Sequence, residues 1–570
     1  MNKESAPSSS LTWTGFAKRE DQLLIVLSLV IGVMVGLTVV AFILLTGRLS
    51  ARMYPPESAA WRRVLVPVAG ALVSGVLLFR YFPGARGSGI PQAKFALFIE
   101  DGYIGLRTVF GKLICCCISL ASGIALGREG PSVQIGAGIA SVIGRRYGLS
   151  PKNVRALLPV GAAAALAAAF NTPIAAVLFS LEEILGDLHA PVLGSVVLSS
   201  ATSWMVLHLI LGDQPLFHVP AYRLVSPAEF GVYAVLGLVG GLCSVCFVKL
   251  LLYLRILFRR LPASTVWFQP VAGGLLIGLL GWFVPEVLGV GYGYVDFVLG
   301  GDFPLKTVVL LGVLKIIATP VCYSSGNAGG IFGPSLFIGA MIGGTVGSIA
   351  HTLFPAWTAN PGAYALVGMG AAFAGIVRTP LTSVIMIFEM TRDYSIIVPL
   401  MISNLVSFFV SQRLQPEPIY EALAHQEGVF LPTLESREVQ AAFRVGEIMR
   451  IGARMLSLDD TAESAREVLK RESCNAWPVG QADRLAGMIR QTDLERDDNL
   501  PLSRVMGEQV EIAFVHPDQS AAHALERMRE TGLDVLPVVS RANLRQMRGV
   551  VTLRQILAAY GVGSAVLEVR

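Results

Sequence analysis

A block of sequence that occurs twice most narrows what this chain can fold into. Residues 112–131 and 315–334 share one spacing. With a shift of 203 positions Lys112 falls on Lys315, Ser122-Gly123 on Ser325-Gly326, Gly127 on Gly330, Gly130-Pro131-Ser132 on Gly333-Pro334-Ser335 and Ile135-Gly136 on Ile338-Gly339. A second block repeats with a shift of 207, which sets Gly161 on Gly368, Ala164-Ala165 on Ala371-Ala372, Thr172-Pro173 on Thr379-Pro380 and Glu182 on Glu389. Two related halves follow. Both carry apolar segments interrupted by glycine and proline at matching places, the expectation for a transporter or channel whose site lies between repeats. Close packing of glycine-rich helices explains the small-residue coincidences but not the repeated lysine, proline and glutamate. The repeats leave their relative orientation open, although an antiparallel arrangement brings both sets of broken-helix ends toward one midplane.

The solvent for these halves is a bilayer. Of the 570 residues 53% are hydrophobic and only 15% charged, against about a quarter charged in soluble proteins. Apolar stretches recur at 23–45, 64–78, 158–181, 192–211, 230–257, 308–321, 366–388 and 396–410. Several can span about 30 Å, and others are short or broken, as helices that stop partway across would be. Residues 1–21 read as a cytoplasmic lead-in with Lys18 and Arg19 at the membrane edge, and the run after them as a retained spanning helix rather than a cleaved signal. The transport part is expected over 22–421, its repeats over roughly 22–212 and 228–421. From about Pro416 onward acidic and basic residues replace the apolar runs, so the C-terminal part is soluble. A net charge of +5 without a basic cluster there excludes nucleic acid as a partner. Three of seven cysteines are adjacent, Cys115 to Cys117, inside an apolar segment, and none has metal-ligand spacing, so they read as buried thiols.

Few residues in this background can handle ions. Gly127-Arg128-Glu129-Gly130-Pro131 precedes the apolar run 132–144. If that run is a helix, its first turn offers unpaired N–H groups that favour an anion, and the Glu129 carboxylate competes for that place. Protonated, it frees the place; paired with Arg128, it is a static bridge instead. In the other half Phe332 stands in register with Glu129, so the useful groups there are the backbone N–H groups of Ile331 and Phe332, at the start of 335–350. Ser88, in Gly87-Ser88-Gly89-Ile90-Pro91, offers a hydroxyl between glycines that let the backbone approach closely, before a short helical segment 92–100. Neutral donors suit an anion that must also leave. Glu182 has a counterpart in Glu389, which favours a structural role for both. Glu183 falls on Met390, and an acid that breaks the symmetry is the better candidate for a second proton stop, with a solvated helix end as the alternative.

These motifs resemble the CLC family of chloride channels and chloride/proton antiporters, through GSGIP at 87–91, GREGP at 127–131 and GIFGP at 330–334, over about residues 20–421. The resemblance implies a multi-helical membrane protein of inverted repeats with tilted and half-spanning helices, a homodimer with one pore per subunit, and no enzymatic activity. It implies chloride-coordinating roles for Ser88, the amides of Ile331 and Phe332, and Tyr420, which follows the last spanning segment. It makes Glu129 the gate and external proton-transfer residue. Glu183 matches the internal proton-transfer acid of family antiporters, which implies exchange of two chloride ions per proton; a passive gated chloride channel of the same family is the first alternative, and a regulatory protein dominated by the soluble C-terminal part is the alternative of another class. Serine at 88 fits the chloride-preferring pattern. Gly333 departs from the alanine of many members, a change expected to affect backbone freedom more than chemistry, and Gln92 and Lys94 lie where some bacterial exchangers are acidic. The compact organisation suggests a multi-pass protein of a bacterial cytoplasmic membrane, with its soluble part cytoplasmic.

After a linker at 422–444, the segments 445–500 and 501–570 each carry a short start, an amphipathic helix and a glycine-led strand. Val445 to Met449 pairs with Leu502 to Met506, and Gly487-Met488-Ile489 with Gly549-Val550-Val551. This resembles a soluble α/β pair of CBS domains. No cofactor is required, but an adenine nucleotide is a possible ligand. The family's Ser/Thr-then-Asp pattern is half kept in each repeat, as Arg490/Asp493 and Thr552/Gln555, leaving Asp493 and Thr552 as candidate nucleotide residues and a structural or dimer-supporting role as the other reading.

Overall fold

The computed structural model describes residues 11–55, 58–213, 216–217, 219, 222, 224–301, 303–429, 431, 443–481, 484–494, 500–506 and 512–560, with side chains from residue 22 onward. The start of the expected lead-in, residues 432–442 of the expected linker and the final 561–570 lie outside them. The chain forms two compact units, 1–431 and 432–570.

In the first unit one order of helices runs twice. The first pass is α1 (Leu11–Met53), α2 (Arg62–Arg80), α3 (Ile90–Phe98), α4 (Leu106–Ala121), α5 (Glu129–Arg146), α6 (Pro151–Phe170), α7 (Pro173–Phe179) and α8 (Leu193–Leu211). The second is α9 (Glu229–Arg259), α10 (Gln269–Phe283), α11 (Tyr292–Gly300), α12 (Leu305–Ser324), α13 (Phe332–Leu353), α14 (Pro361–Val377), α15 (Pro380–Thr391) and α16 (Ile397–Leu414), closed by α17 (Ile419–Gln426). Among the described residues eight helices are long and apolar enough to cross a membrane.

Two of the expected runs are not single helices. The run 158–181 breaks between α6 and α7, where Asn171 is left-handed (φ 60°) and Pro173 opens the next helix. The run 366–388 breaks identically between α14 and α15, at Arg378 (φ 68°) and Pro380. Proline has no N–H to continue the ladder and forces its predecessor toward extended backbone. Conversely α13 is 22 residues long and rich in glycine, although no apolar run marked it. Those glycines bring backbones together: a Cβ at Gly136 of α5 would strike Gly161 O of α6, and one at Gly339 of α13 would strike Gly368 O of α14.

The halves meet through equivalent residues, the antiparallel contact that inverted repeats would make. Gly127 N donates to Gly330 O and Gly330 N to Gly127 O, both at 2.7 Å, an antiparallel bridge between equivalent residues. The two lysines that packing alone did not explain do the same work in each half. Lys112 Nζ donates to Ala85 O (3.1 Å) and Gly87 O (2.6 Å), and Lys315 Nζ to Val287 O (3.1 Å) and Gly289 O (2.5 Å). Each buried ammonium satisfies loop carbonyls that would otherwise be unpaired, and so pins the loop before α3 or α11.

The second unit has its own core, including Leu469, Trp477, Ile489, Leu536 and Val551. Its first repeat is α18 (Val445–Ile448), β1 (Arg450–Ile451), α19 (Ala462–Glu472), β2 (Ala476–Gln481) and β3 (Arg484–Arg490). The second is α20 (Leu502–Val505), α21 (Ala521–Thr531), β4 (Val535–Val539), β5 (Met547–Thr552) and α22 (Leu553–Ala559). β2 pairs antiparallel with β3, β4 with β5, and β1 crosses to the free edge of β5. Equivalent residues again clasp each other: Asn475 N donates to both Asp534 carboxylate oxygens (2.8 and 2.9 Å), and Asp534 N to Asn475 Oδ1 (3.1 Å).

Candidate functional site

The Gly127–Gly330 bridge sets the starts of α5 and α13 against each other, and the site is built on that junction. Glu129, the first residue of α5, is fully buried. Its carboxylate does not cap its own helix, as the sequence suggests, but crosses to the other half. Oε2 accepts from Gly333 N at 3.2 Å, in the first turn of α13, and Oε1 accepts from the Tyr292 hydroxyl. The reason is local: a carboxylate one residue into α5 faces the bridge, and beyond the bridge lie the unpaired N–H groups of α13. Arg128 Nε stays 4.0 Å from Oε1, so the neighbouring guanidinium is the loosest of these partners.

Ile331 and Phe332 lie beside the same helix start, both buried. The Phe332 ring is fixed by three others, Phe373 (4.4 Å between centroids), Phe170 (4.7 Å) and Phe179 (5.5 Å). Two hydroxyls complete the polar set. Ser88 Oγ, which lies against Tyr323, and Tyr420 OH are buried, and among the described residues neither makes a hydrogen bond of normal geometry. Ser88 sits between Gly87 (φ 82°) and Gly89 (φ 105°), and a Cβ at Gly89 would strike Gly130 O, so only glycine lets this loop lie against the start of α5. Gln92 Oε1 caps Gly89 N at 2.8 Å. Tyr420, the second residue of α17, is fully buried.

The adjacent acids Glu182 and Glu183 part company. Both sit on a wide turn, 180–185, with π-helical spacing, a feature frequent at functional sites; the equivalent part of α15 is regular helix. Glu182 accepts from Leu381 N (3.3 Å), Thr382 N (2.8 Å) and Thr382 Oγ1 (2.6 Å), capping α15. Glu389 returns the contact on α7, accepting from Ile174 N (2.9 Å) and Ala175 N (2.7 Å). Glu183 instead pairs with Lys94 Nζ at 2.9 Å, both side chains 8% exposed, and the same ammonium lies 3.9 Å from Glu421. It is therefore a buried ion pair rather than a solvated helix end. A cavity of about 730 Å³ reaches Gly87, Gln92 and Tyr323 and carries Arg86, Arg255 and Arg259.

The sequence profile described as voltage gated chloride channel matches residues 69–412, and the CBS-domain profile matches 503–561. The chain belongs to the voltage-gated chloride channel family, the CLC family, with a C-terminal CBS pair. An H(+)/Cl(-) exchange transporter ClcA of Vibrio campbellii is 34% identical over 372 residues, covering 63% of this chain and 80% of the relative. A ClcB-like relative of Ralstonia nicotianae, named for a chloride channel, is 34% identical over 366 residues, covering 63% and 85%. The crystal structure of a slow cyanobacterial Cl-/H+ antiporter superposes with a TM-score of 0.66 at 28% identity, covering 71% of this CLC chain and 97% of that one.

Three contributors escaped the sequence reading. Tyr292 lies in Gly289-Val290-Gly291-Tyr292-Gly293, which a shift of 202 sets against Gly87 to Pro91; that alignment was the available signal. Lys94 stands out in the sequence as a base where some bacterial exchangers are acidic, but nothing there pairs it with Glu183. Gly333 provides space rather than backbone freedom: a Cβ there would lie 2.7 Å from Tyr292 OH and 2.9 Å from Glu129 Oε2. In the CBS pair, Asp493 Oδ2 accepts from Arg490 N (3.0 Å), and Thr552 caps α22, accepting from Gln555 N (3.3 Å) while Thr552 N donates to Gln555 Oε1 (2.9 Å). A cavity of about 580 Å³ in this unit is lined by Arg466, Lys470, Gln491 and Asp534 among others, and by neither candidate.

Proposed function

We propose that this protein is a chloride/proton antiporter that moves two chloride ions against one proton. The observation that carries the reading is the Tyr420 hydroxyl, a buried donor that has no partner among the described residues and lies within electrostatic reach of both Glu183 and Glu129. An anion held by Ser88, Tyr420 and the amides of Ile331 and Phe332 would occupy the space between two acids. Glu129, as carboxylate, takes the anion's place at the start of α13; protonated, it loses its attraction to the positive helix end and leaves that place to chloride. Glu183 then serves as the inner proton stop, its charge held by Lys94 until a proton arrives. Neutral donors let chloride bind and leave, and the arginines of the cavity raise its local concentration.

The working unit in this reading is a homodimer with one pore per subunit in a bacterial cytoplasmic membrane. For the CBS pair we favour the structural role, since Asp493 and Thr552 already serve as backbone caps. A passive channel remains the second reading, favoured by the ClcB-like relative. Purified protein in liposomes separates the two: an antiporter drives protons uphill when given a chloride gradient, and chloride flux without proton movement would sink the exchanger. In E129A chloride flux should persist while coupling and its pH dependence disappear. An unchanged proton-to-chloride ratio in that variant would remove Glu129 from the mechanism.

A further inference from the structure

Glu129 has a partner that none of the ion-handling motifs supplies. The Tyr292 hydroxyl donates to Oε1, while Gly333 N holds Oε2. The tyrosine ring is itself positioned: Phe217 meets it edge-on at 5.4 Å (89° between planes), and the Arg128 guanidinium lies 5.8 Å from its centroid. Tyr292 is the first residue of α11, whose preceding loop is pinned by Lys315 through Val287 O and Gly289 O. The hydroxyl thus arrives at the carboxylate from the end of a loop held at two carbonyls by one buried ammonium.

A second, independent observation concerns the space this contact needs. Gly333 carries no side chain, and a Cβ there would stand 2.7 Å from the Tyr292 hydroxyl, 2.9 Å from Glu129 Oε2 and 2.9 Å from Val290 Cγ1. Separations below 3 Å force something to move. The smallest residue therefore occupies a position where a methyl group would stand against phenol and carboxylate at once and prise them apart. Tyr292 and Gly333 act together, although they lie on different elements.

We propose that Tyr292 and Gly333 form a latch on the gate: the phenol hydroxyl holds the Glu129 carboxylate at the start of α13, and the missing methyl of Gly333 is what admits it. The latch rests on Glu129 being the gate. It stabilises the closed, charged arrangement, because a hydrogen bond to an ionised acceptor is stronger than one to a neutral acid. Opening requires the carboxylate to take up a proton or to leave the phenol, so the latch slows turnover and delays acid activation. The charged and titratable groups facing Glu129 among the described residues are Arg128 from its own segment, Tyr292 from α11 and Tyr420 from α17; α13 contributes only backbone N–H.

The test uses the full chain in liposomes, with initial chloride and proton rates recorded from pH 4.5 to 8. Y292F keeps the ring and removes the donor. Losing a hydrogen bond to a charged group should speed chloride flux at neutral pH by about tenfold and move the midpoint of acid activation up by about one pH unit, since less acid is then needed to release Glu129. G333A keeps the phenol but inserts the methyl group, and should reproduce both changes. The double variant should match either single one, because both break one contact. Unchanged rate and midpoint in Y292F would overturn the latch, as would fully additive effects in the double variant. A merely structural tyrosine would lower protein yield or slow flux at every pH without moving the midpoint, which also overturns it. Chloride flux alone reads the latch, so a wild-type protein that moves no protons defeats the antiporter reading and not this one.

Discussion

Glu182 and Glu183 show how far two neighbouring carboxylates can differ in a membrane. Glu182 satisfies the first N–H groups of α15 in the opposite half, groups that lipid cannot solvate. Glu183 touches no helix end and instead meets Lys94. E182A should therefore cost stability, on the order of 2–3 kcal/mol for lost hydrogen bonds to a charged acceptor, read as a lower melting temperature in detergent. E183Q should leave the melting temperature nearly unchanged, because Lys94 retains Glu421 nearby, while proton transport falls far more than chloride transport. Equal loss of both fluxes in E183Q, or a lower melting temperature, would return Glu183 to a structural role. The structural role of Glu182 was legible from its counterpart Glu389. Its partners were not, because they lie about 200 positions away and a backbone N–H has no sequence signature. Tyr292 was hidden for a related reason: a tyrosine in an apolar loop reads as packing until the fold delivers a carboxylate to its hydroxyl.

At the scale of elements, function comes from helices that stop. The breaks before Pro173 and Pro380 were written in Thr-Pro pairs at matching positions, yet hydropathy ran straight through them, since a left-handed residue and a proline barely change an average over an apolar window. The start of α5 against α13 was half legible: the glycines and the repeat marked both ends, but not that Glu129 reaches the other half's helix rather than its own. The bridge joining those ends also makes a prediction about symmetry. Gly127 and Gly330 are equivalent, but a Cβ at Gly127 would fall on the Glu129 carboxylate, whereas one at Gly330 would meet Pro131 Cδ at 3.1 Å and Gly130 N at 3.2 Å. G127A should push the carboxylate from the start of α13 and shift the pH midpoint of chloride flux. G330A should crowd the bridge and change the rate while leaving the midpoint in place. Identical pH profiles for the two variants would show that the contact between Gly127 and Glu129 has no part in gating.

The whole molecule uses duplication twice. In the transport unit the repeats clasp at Gly127 and Gly330, and in the CBS unit at Asn475 and Asp534. In the first unit the symmetry is broken at the proposed gate and the proposed inner proton stop, with Glu129 opposite Phe332 and Glu183 opposite Met390. The CBS unit keeps its symmetry at the positions proposed for a nucleotide: Arg490 N to Asp493 and Thr552 N to Gln555 are the same backbone cap made with different side chains. A nucleotide phosphate or ribose binding Thr552 would have to displace an N-cap, and such caps are worth about 1 kcal/mol. The expected result of calorimetry with ATP, ADP and AMP, on the full chain and on residues 440–570, is no heat and no thermal stabilisation. T552A should lower the melting temperature of the soluble unit by about 4 °C, equally with and without nucleotide. Saturable heat that T552A abolishes would instead make the threonine a ligand residue, and would turn the CBS pair from a brace into a sensor.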